Sequence, residues 1–240
     1  MMSREPSNEL QRLAKWAGWS YLLIIITSIL SLVVLGGRYT VMGDSAASVV
    51  KMFEHPGFVR ANAVYEVLMF SAVIVLAVLL FQLTAHLNAT IARIALMLRV
   101  AEALLGYLGV ILTLGILYSA WDGSPDNGVG ALPVLLYDLK DLTYKVLMVC
   151  ISLGTILFLF VFHRARFLPH WLTIWGMLAF ALMFVSSPMQ ILGLKAGVIV
   201  NGIAAVLTIS FEVVIGAWLI VKGVDTGAVT DRGISRSKER

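Results

Sequence analysis

The stretch 92-ARIALMLRVAEALLGYLGVILTLGILYS-119 decides the fold, because it is a long apolar run that contains an arginine and a glutamate one helical turn apart. At about 100° per residue, Arg99 and Glu102 fall on the same face of a helix. A charged group near the middle of a bilayer costs at least about 2.5–3.5 kcal/mol on insertion scales, so neither side chain can face lipid. The stretch therefore predicts a membrane-spanning helix whose polar face is turned toward the inside of a bundle.

The residues around this pair divide the helix into two faces. The face of the charged pair also carries small residues, which are Ala95, Gly106, Gly109 and Thr113. The opposite face is apolar and consists of Met97, Leu104, Leu108 and Ile111. Small side chains let a neighbouring helix approach closely, and buried charge needs an answering charge. We expect the apolar face to contact lipid and another helix to supply a counter-charge.

The composition indicates a membrane protein made of one bundle. Of the 240 residues, 60% are hydrophobic and 13% are charged, whereas about a quarter of the residues of a soluble domain are charged. Each span takes about 20 residues, so the length leaves no room for a separate soluble domain. The net charge is +4, but the basic residues flank the apolar spans. They indicate contact with anionic membrane lipids and argue against nucleic acid as a partner.

Apolar runs predict an all-α, polytopic transmembrane bundle of about six helices within residues 1–222. The predicted spans cover about 16–35, 62–84, 92–119, 142–162, 170–192 and 197–221. Residues 131–139 are apolar but too short to cross a membrane. An amphipathic helix over about 44–55, capped by Asp44, is expected on the external membrane surface, with a lid over a cavity as the alternative. Residues 223–240 are predicted to form a disordered cytoplasmic tail.

The distribution of basic residues predicts the orientation. Lysines and arginines concentrate near the two termini and around Arg93, Arg164 and Arg166. Because short cytoplasmic segments carry an excess of such residues, both termini are expected in the cytoplasm and both long connections outside. An even number of crossings agrees with termini on one side.

The charged residues of the third and sixth spans are expected to meet. Counting from Arg93 and from Lys222, Glu102 and Glu212 both lie roughly 14–15 Å from the cytoplasmic boundary. Asn201 and Thr208 share the helix face of Glu212. Two carboxylates and one guanidinium leave an excess negative charge, so a proton, a cation or a polar ligand must complete the group. We interpret these residues as a ligand-binding or proton-handling site; a purely structural salt bridge is the alternative.

A second polar group is predicted near the external ends of the second and fourth spans. It forms an expected outer vestibule, with Asn62 nearby, made of Arg60, Glu66, Asp138, Asp141 and Lys145. Ser152 and Thr155 continue the face of Asp138 inward. Expected wall residues are Tyr65, Tyr107 and Tyr144. The alternative is a solvated network at the helix ends.

Catalytic and metal motifs are weak or missing in the sequence. His86, His163 and His170 are all expected at cytoplasmic helix ends and form only a weak metal candidate. No HExxH, CxxC or GxSxG motif and no phosphate-binding glycine loop occurs. The single cysteine, Cys150, permits no intrachain disulfide. The sequence thus assigns no catalytic residue, no bound metal and no cofactor.

Several segments resemble a known family. They are 12-RLAKWAGWSYLLIII-26, Phe58-Val59-Arg60, Arg99-x-x-Glu102, Arg166-Phe167-Leu168-Pro169 and Glu212-x-x-x-Gly216-x-Trp218-Leu219-Ile220-x-Lys222-Gly223. Together they resemble a bacterial membrane-protein family catalogued as domain of unknown function 4386. The resemblance covers nearly the whole chain and implies a bacterial inner (plasma) membrane protein of this length and helix count. It implies no activity.

The leading functional hypothesis is that the bundle binds, and moves or senses, a small polar or amphipathic ligand between its helices. One alternative is a membrane-embedded enzyme that modifies lipid with one of the histidines. Another is a structural or regulatory subunit in which the charges only stabilise packing. Expected partners are membrane lipids and a small molecule, and a homo-oligomer is left open.

Overall fold

The computed structural model of the chain describes residues 5–119 and 130–225, and every regular element in them is helical. The helices are α1 (Glu5–Ile29), α2 (Ser45–Glu54), α3 (Pro56–Thr84), α4 (Ala89–Ser119), α5 (Ala131–Ala165), α6 (His170–Ile191) and α7 (Lys195–Val221). A π-helical segment, Leu30–Leu35, and a 3₁₀ turn, Gly36–Arg38, continue α1. In these residues, six helices are long and apolar enough to cross a membrane, namely α1 with its continuation and α3 to α7. The predicted all-α bundle of about six spans is confirmed, and the protein is a multi-pass membrane protein.

The six long helices form a closed ring. Each packs against the next in the order α1, α3, α4, α5, α6 and α7, and α7 packs back against α1. Gln11 on α1 donates a hydrogen bond to the Val224 carbonyl (2.6 Å) just after α7. The beginning of α1 and the end of α7 therefore lie at one end of the bundle, the termini end. The other end, which carries α2, is the α2 end.

Three apolar cores lie inside the ring in the described part of the chain. A large one near the termini end includes Leu83, Phe162, Phe167 and Leu219. A smaller one at the α2 end joins Tyr39, Val49, Met52, Val59 and Ile116. A third joins Phe70 and Val73 of α3 to Ala103 of α4 and Leu147 of α5, and the candidate site lies beside it.

Several helices extend beyond the predicted spans. α1 begins at Glu5 instead of residue 16, and α3 begins at Pro56 because proline is well accommodated in the first turn of a helix. Residues 131–139, which we judged too short to cross a membrane, are the first turns of the 35-residue α5. At 1.5 Å per residue, α5 is about 50 Å long and exceeds the hydrocarbon core of a bilayer.

The amphipathic helix α2 lies on the bundle itself. The Asp44 side chain accepts a hydrogen bond from the Ala47 amide (2.8 Å), as expected for an N-cap. α2 contacts α3, α4 and α5 and buries Val49 and Met52 against them. Its buried face thus covers ends of these three helices.

The two predicted faces of α4 are confirmed. Ala95, Arg99, Glu102, Gly106 and Thr113 are buried, whereas Met97, Leu104, Leu108 and Ile111 are exposed on the outside of the ring. The space beside Gly106 is filled by the Phe70 ring of α3. Of the predicted tail over residues 223–240, the structure describes only Gly223 to Asp225; residues 226–240 lie outside the described part of the chain.

Candidate functional site

A cavity of about 400 Å³ lies inside the ring, and all six long helices contribute to its lining. Its polar floor consists of Tyr21 from α1, Arg99 and Glu102 from α4, and Glu212 from α7. Residues nearer the α2 end, including Glu66 and Lys140, provide a second polar region. Most of the wall between the two regions is apolar.

Arg99 and Glu102 form an ion pair within α4. Arg99 Nη1 lies 2.7 Å from Glu102 Oε2, and both side chains are only 3% exposed. Gly154 of α5 makes room for the arginine, because a Cβ there would lie 3.0 Å from Arg99 Cγ and 3.1 Å from Cδ. The close packing of α4 on α5 therefore fixes the stem of Arg99 and aims its guanidinium at the cavity floor.

The pairing of these two groups is incomplete. Arg99 Nε and Nη1 and Glu102 Oε2 are buried, and none has a hydrogen-bond partner, because the short ion-pair contact is poorly aligned for a hydrogen bond. A buried polar atom without a partner costs about 1–3 kcal/mol. These three atoms could therefore bind a further polar or charged group at the floor.

Glu212 reaches the same floor from the opposite side of the ring. It lines the cavity and interacts electrostatically with Arg99 and Glu102. In the described part of the chain it makes no hydrogen bond and no ion pair within 4 Å. Two carboxylates thus share one guanidinium, which is already in contact with Glu102.

Tyr21 is a floor residue that the sequence interpretation missed. It is 4% exposed, lines the cavity, and interacts electrostatically with Arg99, Glu102 and Glu212. A tyrosine hydroxyl needs a polar partner inside a bilayer. The one available signal was a tyrosine within the apolar run of the first span.

A hydrogen-bonded network surrounds Glu66 at the α2 end of the cavity. Asn62 donates to Tyr39 Oη (2.8 Å) and to Glu66 Oε1 (3.1 Å), and Ser31 Oγ donates to Asn62 Oδ1 (2.8 Å). Ser31 belongs to the π-helical segment, and such segments are frequent at functional sites. The α1 continuation is thereby fastened to α3.

Lys140 of α5 faces this network and is a second missed residue. It lines the cavity and interacts electrostatically with Glu66. The sequence interpretation assigned Lys140 to no site, because its partner Glu66 lies on another helix.

The family model for Domain of unknown function (DUF4386) matches residues 16–223, most of the chain. The chain belongs to this family. No curated protein and no solved structure matches it. The segment matched by the DUF4386 model includes α3 to α7 in full, α1 from Trp16 onward, and every cavity residue named above.

In the structure of this DUF4386 protein, the residues assigned to the predicted outer vestibule do not lie together. Of the five residues assigned to it, Glu66 lines the cavity, whereas the cavity-lining residues do not include Arg60, Asp138, Asp141 and Lys145. Asp141 Oδ2 instead lies 2.6 Å from Lys145 Nζ at the surface, and Asp138 accepts a hydrogen bond from Ser45 of α2 (2.6 Å). The inward face of α5 is turned by about 100° from the predicted face. Lys140, Tyr144 and Leu147 occupy it.

The remaining predicted residues are divided between cavity and packing. Thr208 and Tyr144 line the cavity; Ser152, Thr155, Tyr65 and Tyr107 do not. The Tyr107 hydroxyl lies 2.9 Å from Ser71 Oγ. Asn201 Oδ1 accepts a hydrogen bond from Ser186 of α6 (3.3 Å). Asn201 therefore joins α7 to α6, and it is not among the cavity-lining residues.

The three histidines do not form one group. His163 Nδ1 lies 3.2 Å from His170 Nδ1 and 2.8 Å from Thr173 Oγ1, whereas the His86 ring packs against Phe167 at 5.6 Å between centroids. Burial lowers the pKa of His86 below its ordinary value. Within residues 5–119 and 130–225, no three side chains of the metal-binding types lie close enough to hold a metal ion.

Proposed function

We propose that this protein binds a small polar or amphipathic ligand in the central cavity and transports or senses it. Glu102 and Glu212 bind a cation or proton in this proposal, and Arg99 holds Glu102 in place or contacts an anionic group. We further propose that the protein lies in the bacterial inner (plasma) membrane, as its resemblance to a bacterial family implies, with both termini in the cytoplasm, as its basic residues indicate.

One observation carries the proposal: the charged floor opens into a cavity instead of being packed closed. A salt bridge that only stabilises the fold gains most when other atoms satisfy its remaining donors and acceptors. Here three buried atoms of the pair have no hydrogen-bond partner and Glu212 faces the same space. This arrangement favours a ligand site over a purely structural ion pair.

The test is native mass spectrometry of protein released from mild detergent. The wild type is compared with Glu212→Gln and with Glu54→Gln, whose side chain lies at the surface of α2. We expect a discrete small-molecule adduct on the wild type and on Glu54→Gln that is lost from a folded Glu212→Gln protein. Bare protein in all three samples, or an adduct that persists in Glu212→Gln, would contradict the proposal.

The lipid-modifying enzyme is the weaker alternative. It requires the histidines at the termini end, where His163 and His170 are in contact but His86 packs elsewhere. A stoichiometric transition metal that is lost in His163→Ala would favour it. In the structural alternative, Arg99→Ala would lower stability without removing any adduct.

A further inference from the structure

The charge of the cavity floor indicates what sign of ligand it accepts. The floor contains one guanidinium and two carboxylates, and the guanidinium is in contact with Glu102. Glu212 has no basic partner within 4 Å in the described part of the chain. Tyr21, the remaining polar group of the floor, carries no positive charge. One monovalent cation placed between Glu102 and Glu212 would make the floor neutral, whereas an anion would add to the excess negative charge.

The cavity wall indicates the nature of the remaining part of the ligand. The apolar part of the wall includes Phe70, Val73, Phe180 and Met183. From Glu66 to Leu76, both cavity-lining residues of α3, ten helical residues extend over about 15 Å. An apolar body gains free energy from such a wall in proportion to the apolar area removed from water. A bare metal ion or a proton would leave this wall uncovered.

The rim of the cavity indicates how such a ligand would reach it. A residue that both lines the cavity and is exposed lies at the opening, and these residues are Ile29, Leu32, Thr40, Tyr144 and Ile209. None is charged, and Leu32 is 73% exposed on the lipid-facing side of the π-helical segment. An apolar rim at this position suits a molecule that partitions into the bilayer first.

We propose that the ligand is a lipophilic monovalent organic cation, whose charged centre lies between Glu102 and Glu212 and whose apolar body lies along Phe70 and Phe180. This inference deepens and rests on the proposed function. Arg99 acts as a positioning residue that holds Glu102, and the ligand reaches the cavity from the membrane across the rim of Leu32 and Ile209.

The test uses two probes of nearly the same shape and opposite charge, tetraphenylphosphonium and tetraphenylborate. Saturable binding is measured on the full chain in neutral-lipid nanodiscs, after subtraction of binding to empty nanodiscs. We expect the wild type to bind tetraphenylphosphonium at least 10-fold more tightly than tetraphenylborate. Glu212→Gln should lose at least 10-fold in tetraphenylphosphonium affinity, Glu212→Asp should keep the preference for the cation, and Glu54→Gln should match the wild type.

Equal or tighter binding of tetraphenylborate, or unchanged tetraphenylphosphonium affinity in a folded Glu212→Gln protein, would overturn the inference. If neither probe binds but the native adduct is lost on Glu212→Gln, the cation class is wrong and the ligand site remains. If neither probe binds and no adduct exists, both proposals fail.

Discussion

The stem of Arg99 lies against Gly154, where a Cβ would be 3.0 Å from Arg99 Cγ and 3.2 Å from the Ala95 carbonyl oxygen. Gly154→Leu should therefore displace Arg99 from Glu102 and lower the free energy of unfolding by about 1–3 kcal/mol through overpacking. Denaturation in mild detergent measures the change. Gly109→Leu is the matched control, because a Cβ at Gly109 meets nothing within 4 Å. An equal loss in both variants would contradict the close contact between α4 and α5.

The contributions of Arg99 and Glu102 to the free energy of unfolding can be measured separately. Arg99→Met leaves Glu102 buried beside Glu212 without a base, and such a change costs about 3–5 kcal/mol. In the double variant Arg99→Met/Glu102→Gln, most of this loss should be recovered, because the uncompensated charge is removed as well. The free energies of unfolding of both single variants and the double variant form the measurement. Strictly additive losses would show that the two side chains are not coupled.

The helix faces of α4 and α7 could be predicted from sequence, whereas the inward face of α5 could not. In α4, the charged and small residues occupy one side for most of the helix length, so the 3.6-residue period identifies it. In α5, Asp138 and Asp141 are exposed and Lys145 is half-buried near the α2 end of the bundle. An exposed charged side chain costs little free energy, so the polar side of this part of α5 need not face the interior of the bundle.

The π-helical segment Leu30–Leu35 could not be predicted from the sequence. Its Ser31 bonds to Asn62, which lies 31 positions along the chain. A local pattern does not contain such a contact. Lys140 escaped notice for the same reason, because its partner Glu66 lies on another helix.

Asn62→Leu should loosen the α1 continuation from α3. Asn62 is 2% exposed, and its side chain bonds to Ser31, Tyr39 and Glu66, so its loss should cost roughly 1–3 kcal/mol locally. Hydrogen–deuterium exchange of residues 30–38 should then become at least about 10-fold faster. Ser71→Ala, on the outer side of α3, is the control and should leave this exchange unchanged. Unaltered exchange in Asn62→Leu would show that the network does not hold the segment.

At the scale of the whole molecule, the ring of six helices brings both ends of the described chain to one side. The Gln11–Val224 hydrogen bond joins them. The all-helical class and the number of spans could be predicted because they depend on apolar segments of sufficient length. The order of helices around the ring depends on contacts between distant residues, and no local pattern contains that information.

The proposed orientation can be tested in a Cys150→Ser background, which removes the single cysteine. Lys51 on α2 and Lys222 after α7 are exposed at opposite ends of the bundle. Lys51→Cys should react with a membrane-impermeant maleimide in intact cells, and Lys222→Cys only after permeabilisation. The reverse pattern would place the termini outside.

The proposed function depends most on whether the charged floor faces an open cavity of negative potential. Thr208 lines this cavity, whereas Ser187 is buried in α6 and is not among its lining residues. In the Cys150→Ser background, we would measure the reaction rates of Thr208→Cys and Ser187→Cys with a cationic and an anionic methanethiosulfonate. We expect Thr208→Cys to react at least 10-fold faster than Ser187→Cys. We also expect Thr208→Cys to react faster with the cationic reagent than with the anionic one. Equal rates at the two positions, or faster reaction with the anionic reagent, would contradict the proposed function.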